Sequence, residues 1–376
     1  MRALSMLIKP ASANCNMRCK YCFYTDVSEN RAVKNHGIMT DETLEIIVKK
    51  ALAQTKEFCV FGFQGGEPTL AGLDFFKTLI DFEKKYNINN VKIQHTIQTN
   101  GLCIDEQWAE FLKENDFLVG LSIDATKHVH DSLRLDAQGN GTHMRCLEAA
   151  KILSGAGTQF NILSVITKPL ALYPEKAYRF YSRQNFRHIQ FIPCIDGWGG
   201  SETEAEDLYS LNTRLYGDFL CKVFDLWYGD FVNGDYISIR TFDNYIQMLA
   251  GHPPENCAMR GKCTAYALVE ADGSVYPCDF YALDEFLLGN IANHSFLELL
   301  SGSVAKNFVA KSLDPHPECA KCPYLSICRG GCRRDRDPGS SPDSSLELNR
   351  FCESYKAFFS HALPRMMNIA KAIAKR

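Results

Sequence analysis

The sequence predicts an α/β protein: a partial (β/α)6 TIM-type barrel, then a small cysteine-rich domain and a C-terminal helix. Three observations point there. The first two-thirds of the chain alternates strand-like and helix-like runs. From about Tyr236 the texture changes to short strands, turns and eight cysteines ending at Cys352, and the last segment regains helical character. Repeated strand–helix units favour a parallel sheet. Six such units fall short of the eight of a closed barrel, so a partial barrel is expected, with an open doubly wound sheet as the alternative. The expected boundaries are 1–235, 236–352 and 353–376.

In chain order, the expected strands are 4–9, 59–64, 91–98, 117–123, 160–167 and 188–192. Most are apolar runs bounded by Gly, Pro, Asn or Asp, as strands covered on both faces should be. Between the first two, Thr40 reads as an N-cap ahead of Leu44, Ile47, Val48 and Ala51 on one helix face. Leu147, Ala150, Ile152 and Leu153 form a later helical pattern, stopped by the glycines at 155 and 157. Asp272 and Gly273, between two short apolar runs, predict a hairpin with a type I′ turn. Residues 338–345 are almost entirely Pro, Gly, Ser and Asp and read as a loop. The helix-like tail from Tyr355 is expected to be interrupted or kinked at Pro364.

The formal charge is −3, with 46% hydrophobic and 23% charged residues. That balance argues against a phosphate-backbone binder, so no nucleic-acid partner is expected. The apolar content excludes general disorder. No run approaches the roughly eighteen apolar residues of a membrane span. The N-terminal apolar stretch stops at Lys9 and Pro10, too short for a secretory signal. A cytoplasmic location with no membrane partner is therefore expected. Disulfides rarely persist in that compartment, so sixteen cysteines point to metal binding or chemistry.

Cys15, Cys19 and Cys22 fall in one short loop after the first expected strand. Three thiolates can hold three corners of an iron–sulfur cube and leave one iron open, whereas a closed site uses four. The second group is Cys257, Cys263, Cys278, Cys319, Cys322, Cys328, Cys332 and Cys352. Eight makes two sets of four, an arithmetic that iron–sulfur clusters or zinc ions both satisfy. Cys59, Cys103, Cys146, Cys194 and Cys221 are scattered and read as small buried hydrophobes.

Cys15-x3-Cys19-x2-Cys22, with Tyr21 before the last cysteine, resembles the signature of radical S-adenosylmethionine enzymes. Gly65-Gly66-Glu67-Pro68 resembles their motif for the methionine amino group. The later cysteines resemble a SPASM extension, which carries two auxiliary 4Fe–4S clusters. The blocks beginning at Lys9-Pro10-Ala11-Ser12, Cys22-Phe23-Tyr24, Gln64-Gly65, Gln98-Thr99-Asn100-Gly101 and Asp272-Gly273 are similar to those of anaerobic sulfatase-maturating enzymes. The likeness runs from about residue 4 to 370.

The resemblance implies three 4Fe–4S clusters and S-adenosyl-L-methionine as cofactors. It assigns Cys15, Cys19 and Cys22 to the reactive cluster. Cys257, Cys263, Cys278 and Cys332 go to one auxiliary cluster, and Cys319, Cys322, Cys328 and Cys352 to the other. It places Tyr21, Gly66, Ser122, Arg134 and Ile195 around S-adenosylmethionine, with Ser122 and Arg134 at the methionine carboxylate, which Arg can bind bidentately. Tyr24 and Gln64 are expected to face the target residue.

The implied reaction oxidises a Cys or Ser of a sulfatase polypeptide to Cα-formylglycine. The adenosyl radical removes a Cβ hydrogen, Asp279 takes the heteroatom proton, and an auxiliary cluster accepts the remaining electron. A carboxylate is ordinarily a weak base toward a thiol, and desolvation improves the match. A protein electron donor is the second implied partner. The nearest rival is a SPASM enzyme forming thioether or carbon–carbon crosslinks. The fourteen residues before Cys15 leave no room for the leader-binding domain such enzymes often carry, which favours the maturase. A zinc-stabilised scaffold or nucleic-acid module is the rival of another class, and it predicts a colourless protein.

Overall fold

Ten strands make one sheet in the computed structural model, which describes residues 1–198, 208–313, 316–339 and 345–374. The strands are β1 (Ala3–Ile8), β2 (Phe58–Phe63), β3 (Lys92–Thr99), β4 (Phe117–Ser122), β5 (Phe160–Ile166), β6 (His188–Pro193), β7 (Ser238–Ile239), β8 (Ala267–Val269), β9 (Ser274–Tyr276) and β10 (Gly289–Asn290). Their order is β10-β9-β8-β1-β2-β3-β4-β5-β6-β7. Neighbours from β8 through β7 run parallel, and β8, β9 and β10 pair antiparallel. The sheet does not close on itself, so the fold is the partial barrel. Strands of this one sheet stand on both sides of residue 235: β7 pairs with β6, and β8 pairs with β1 at Met6 opposite Ala267.

The six expected strands appear with ends shifted by no more than one residue. One face of these strands is packed under the helices, and the other, with Leu7, Val60, Gly62, Thr96 and Gln98, lines the barrel cavity. Ile8, Phe61, Phe63, Ile97, Val119, Leu121 and Ile162 are fully buried. Thr40 caps the helix Asp41–Gln54 through its hydroxyl oxygen, which accepts from Thr43 N at 3.3 Å. That helix buries Leu44, Ile47, Val48, Ala51 and Leu52 against the sheet. The helix His143–Ala156 runs through Gly155 and stops at Gly157, which adopts φ 76°.

Two expectations need correction. The Asp272–Gly273 hairpin forms, but not with a type I′ turn, which needs positive φ at both central residues. Only Gly273 has it, at 84°. Gly273 N instead donates to Glu270 O at 2.9 Å, and the Asp272 carboxylate accepts from Ser274 N at 3.0 Å, giving a longer loop with one left-handed glycine. Of the interruption or kink expected at Pro364, the interruption does not occur: the helix Cys352–Ala374 passes through it. Phe358, Phe359, Ala362, Met366 and Ala370 are buried on one face of that helix. Burying large apolar side chains gives about 1.5–3 kcal/mol each, which outweighs the roughly 3 kcal/mol cost of an interior proline. Most of the loop expected at 338–345 lies outside the described residues.

Candidate active site and cluster cradles

The cluster loop is shaped by its contact with the turn after β2. Gly66 N donates to Ser12 O at 2.9 Å and Glu67 N to Asn14 O at 2.7 Å. A Cβ on Gly66 would fall well inside contact distance of the Asn14 carbonyl, so glycine is required there. The buried Glu67 carboxylate accepts from Thr69 N, Thr99 Oγ1 and Asn100 N, locking the ends of β2 and β3 together. Cys22 stands at the N-terminus of the helix Phe23–Glu29. Asn100 Nδ2 reaches Cys15 Sγ at 3.8 Å, and Arg134 Nη1 reaches Cys19 Sγ at 3.9 Å. Burial pushes the Cys15 thiol up to about 11 and the Cys19 thiol up to about 12. Each keeps its proton until a metal takes the proton's place.

Beside this loop, Asp124 gathers two of the residues of interest. Its Oδ2 accepts from Tyr21 OH and, at 2.8 Å, from Arg134 Nε; its Oδ1 accepts from Val165 N at 2.9 Å. The Arg134 guanidinium lies 5.4 Å from the Tyr21 ring centroid. Behind it, burial and then Arg134 push His130 down to about 3, so the ring is neutral. Its Nδ1 accepts from Asp124 N at 3.2 Å, and its Nε2 bonds Thr142 Oγ1 at 3.0 Å. Thr142 Oγ1 donates to Arg134 O at 3.0 Å. Ser122 ends β4, half-buried, and Ile195 follows β6.

Asp279 is buried at 9% exposure and held by three side chains. Tyr266 OH donates to its Oδ1, while Gln64 Nε2 donates to its Oδ2 at 3.0 Å. Tyr24 OH lies 3.5 Å from Oδ2 and accepts from Gln64. Asp279 N donates back to the Tyr266 hydroxyl oxygen at 3.1 Å, and Cys278 Sγ stands 3.3 Å from Oδ1. Burial drives the Tyr24 and Tyr266 hydroxyls well above their ordinary range, so both remain donors. Asp279, Tyr266, Gln64 and Ile195 line one cavity of about 440 Å³ inside the barrel, between the sheet and the cysteine-rich segment. Tyr24, Gln64 and Asp279 are thus brought together across 215 to 255 residues of chain.

The eight later cysteines divide between two small cavities. Cys257, Cys263, Cys278 and Cys332 line one, with Tyr266, Tyr281 and Arg333. Cys319, Cys322, Cys328 and Cys352 line the other, with Tyr324, Tyr355 and Phe359. Gly330 and Gly331, at φ 85° and 72°, turn the chain between Cys328 and Cys332 and send them to different cavities. The four cysteines of each set line a cavity, and among the described residues no three Cys, His, Asp or Glu side chains converge to hold a single metal ion. An inorganic cluster fits that arrangement better than a zinc ion bonded at about 2.3 Å. Arg333 lines the first cavity as half of a buried ion pair with Asp337 at 3.3 Å, and its Nε has no hydrogen-bond partner.

Sequence reasoning missed Asp124 and Tyr266. Asp124 carried a signal, a carboxylate closing an apolar strand, which is costly to bury without partners. Tyr266 carried none, because its role appears only once β8 and β9 are paired.

Residues 10–168 match the Radical SAM superfamily, and residues 257–323 match the iron–sulfur cluster-binding SPASM domain. The chain is 46% identical over its whole length to the cysteine-type anaerobic sulfatase-maturating enzyme of Clostridium novyi (strain NT), and covers all of that protein. It is 30% identical to the serine-type anaerobic sulfatase-maturating enzyme of Bacteroides thetaiotaomicron, with 97% of this chain and 91% of that one covered. The structure resembles that of native anSMEcpe with bound AdoMet and Cp18Cys peptide, with a TM-score of 0.94, 45% identity and 99% of each chain covered.

Proposed function

We propose a function from one premise: this chain belongs to the anaerobic sulfatase-maturating enzymes, a family of radical SAM oxidoreductases. It oxidises a residue of a sulfatase polypeptide to Cα-formylglycine, and we assign it a cysteine substrate. The higher identity to the cysteine-type relative, 46% against 30% for the serine-type, supports that choice. The observation that carries the chemistry is the Asp279 carboxylate, fastened at the cavity wall by Tyr24, Gln64 and Tyr266 beside Cys278.

When bound, the three clusters and S-adenosylmethionine supply the radical that removes a Cβ hydrogen and the acceptor for the electron left behind. Cys15, Cys19 and Cys22 hold the first cluster, and the two cavities of four thiols hold the others. Asp124 fixes Arg134 and Tyr21, which with Gly66, Ser122 and Ile195 seat S-adenosylmethionine. Tyr266 holds Oδ1 of Asp279 while Gln64 and Tyr24 hold Oδ2, so the carboxylate that takes the proton of the target thiol is fixed in orientation from both sides. The resulting thioaldehyde on the substrate hydrolyses to the aldehyde and sulfide.

A protein electron donor and a cytoplasmic location belong to the same proposal. Among the described residues no helix is long and apolar enough to cross a membrane. The division at 235/236 is retained as a functional boundary, separating the residues that seat S-adenosylmethionine from those that hold the auxiliary clusters. Substrate type is tested with equimolar Cys and Ser forms of one sulfatase-motif peptide under anaerobic turnover. Aldehyde should form faster from the Cys peptide; equal or faster conversion of the Ser peptide overturns the assignment.

A further inference from the structure

Lys9 has no part in the chemistry above, yet it is wedged against the site. It follows β1 directly, and its side chain is 1% exposed. Its Nζ pairs with Glu270, which also accepts from Arg31 Nη1 at 2.6 Å. Burial alone would raise Glu270, but Lys9 and Arg31 hold it down to about 2; burial lowers Lys9, and Glu270 opposes that loss of charge. The Lys9 stem packs on the turn after β2: a Cβ on Gly65 would stand 2.8 Å from its Cγ and 2.9 Å from its Cε. The ammonium lies 5.3 Å from the Tyr24 ring centroid.

Two cations share one carboxylate in this triad, and the Asp279 carboxylate beyond Tyr24 adds a second attraction on the Lys9 ammonium. A desolvated cation at this range is attracted to the face of an aromatic ring. The same Tyr24 carries the hydroxyl that meets Gln64 and Asp279 Oδ2. We propose that Lys9 is a positioning residue: braced by Glu270 and Gly65, its ammonium fixes the Tyr24 ring and thereby sets the hydroxyl against Asp279. This rests on the reading of Asp279 as the proton acceptor. It departs from the bland role of a buried ion pair that only ties the hairpin to the barrel.

The two roles separate in a double-mutant cycle on the anaerobic, iron-loaded enzyme. Lys9→Met keeps the apolar stem and leaves Glu270 with Arg31 as a one-to-one pair, so no buried charge is stranded. The expected result is iron content, S-adenosylmethionine binding and peptide KM within about twofold of the parent, with kcat for aldehyde lowered on the order of tenfold. In Tyr24→Phe, which keeps the ring but lacks the hydroxyl, the same Lys9→Met change should lower kcat by less than about twofold further. Equal losses in both backgrounds overturn the proposal, because Lys9 would then act independently of Tyr24. Lys9→Arg, which keeps the charge, should recover part of the loss, and Lys9→Leu replaces Lys9→Met in the cycle if the Met variant fails to load iron. A parent enzyme that makes no aldehyde would instead contradict the function itself.

Discussion

Asp279 is fixed from both sides of its carboxylate, by Tyr266 on Oδ1 and by Gln64 and Tyr24 on Oδ2. Asp279→Asn preserves that shape and removes the ability to take a proton. Aldehyde formation should fall by about 10²–10⁴-fold while 5′-deoxyadenosine still forms, read by mass spectrometry and by chromatography of the same reactions. Aldehyde at the parental rate would reduce Asp279 to a turn residue beside Cys278. Asp279 itself was legible in the sequence, through its place next to a cysteine in a recognisable block. Its partner Tyr266 was not, because a hydrogen bond across a hairpin leaves no periodic trace. Asp124 lay between: its position at a strand end was visible, but its grip on Tyr21, 103 residues away, required the fold.

At the level of elements, the turn after β2 and the cluster loop are mutually dependent. Gly66→Ala would drive a methyl group into the Asn14 carbonyl, so the loop carrying Cys15 must shift. The expected result is loss of S-adenosylmethionine cleavage, with the N-terminal cluster lost or altered in its visible and paramagnetic spectra and the auxiliary clusters intact. An unchanged spectrum with normal cleavage would show that the loop tolerates the shift. The strands of the barrel were readable because one fully buried face and one half-buried face leave apolar runs such as 58–63. Two local rules were overridden. Gly273 alone supplies the left-handed residue that two were expected to share, and packing of the last helix carries it through Pro364. Tertiary burial decides such cases, and local sequence does not encode it.

Across the whole molecule, a single sheet joins the barrel to the cysteine-rich segment through β1 and β8, and this brings Asp279 over the barrel cavity. The interleaved assignment of the eight later cysteines came from family resemblance, since spacing alone left zinc open. Their sorting into two cavities depends on the turn at Gly330 and Gly331. The intact enzyme should carry about twelve irons, and Cys278→Ala and Cys328→Ala should each remove about four from a different cluster, as iron analysis and spectroscopy would read. Zinc in place of that iron would refute the cluster assignment. The central claim is the reaction, and it is tested most directly by anaerobic incubation of the iron-loaded enzyme with S-adenosylmethionine, a reductant and a cysteine-containing sulfatase-motif peptide. Mass spectrometry should show the cysteine converted to formylglycine, with 5′-deoxyadenosine accumulating in step with the aldehyde. A peptide left unchanged, or one carrying a new crosslink, would contradict the account.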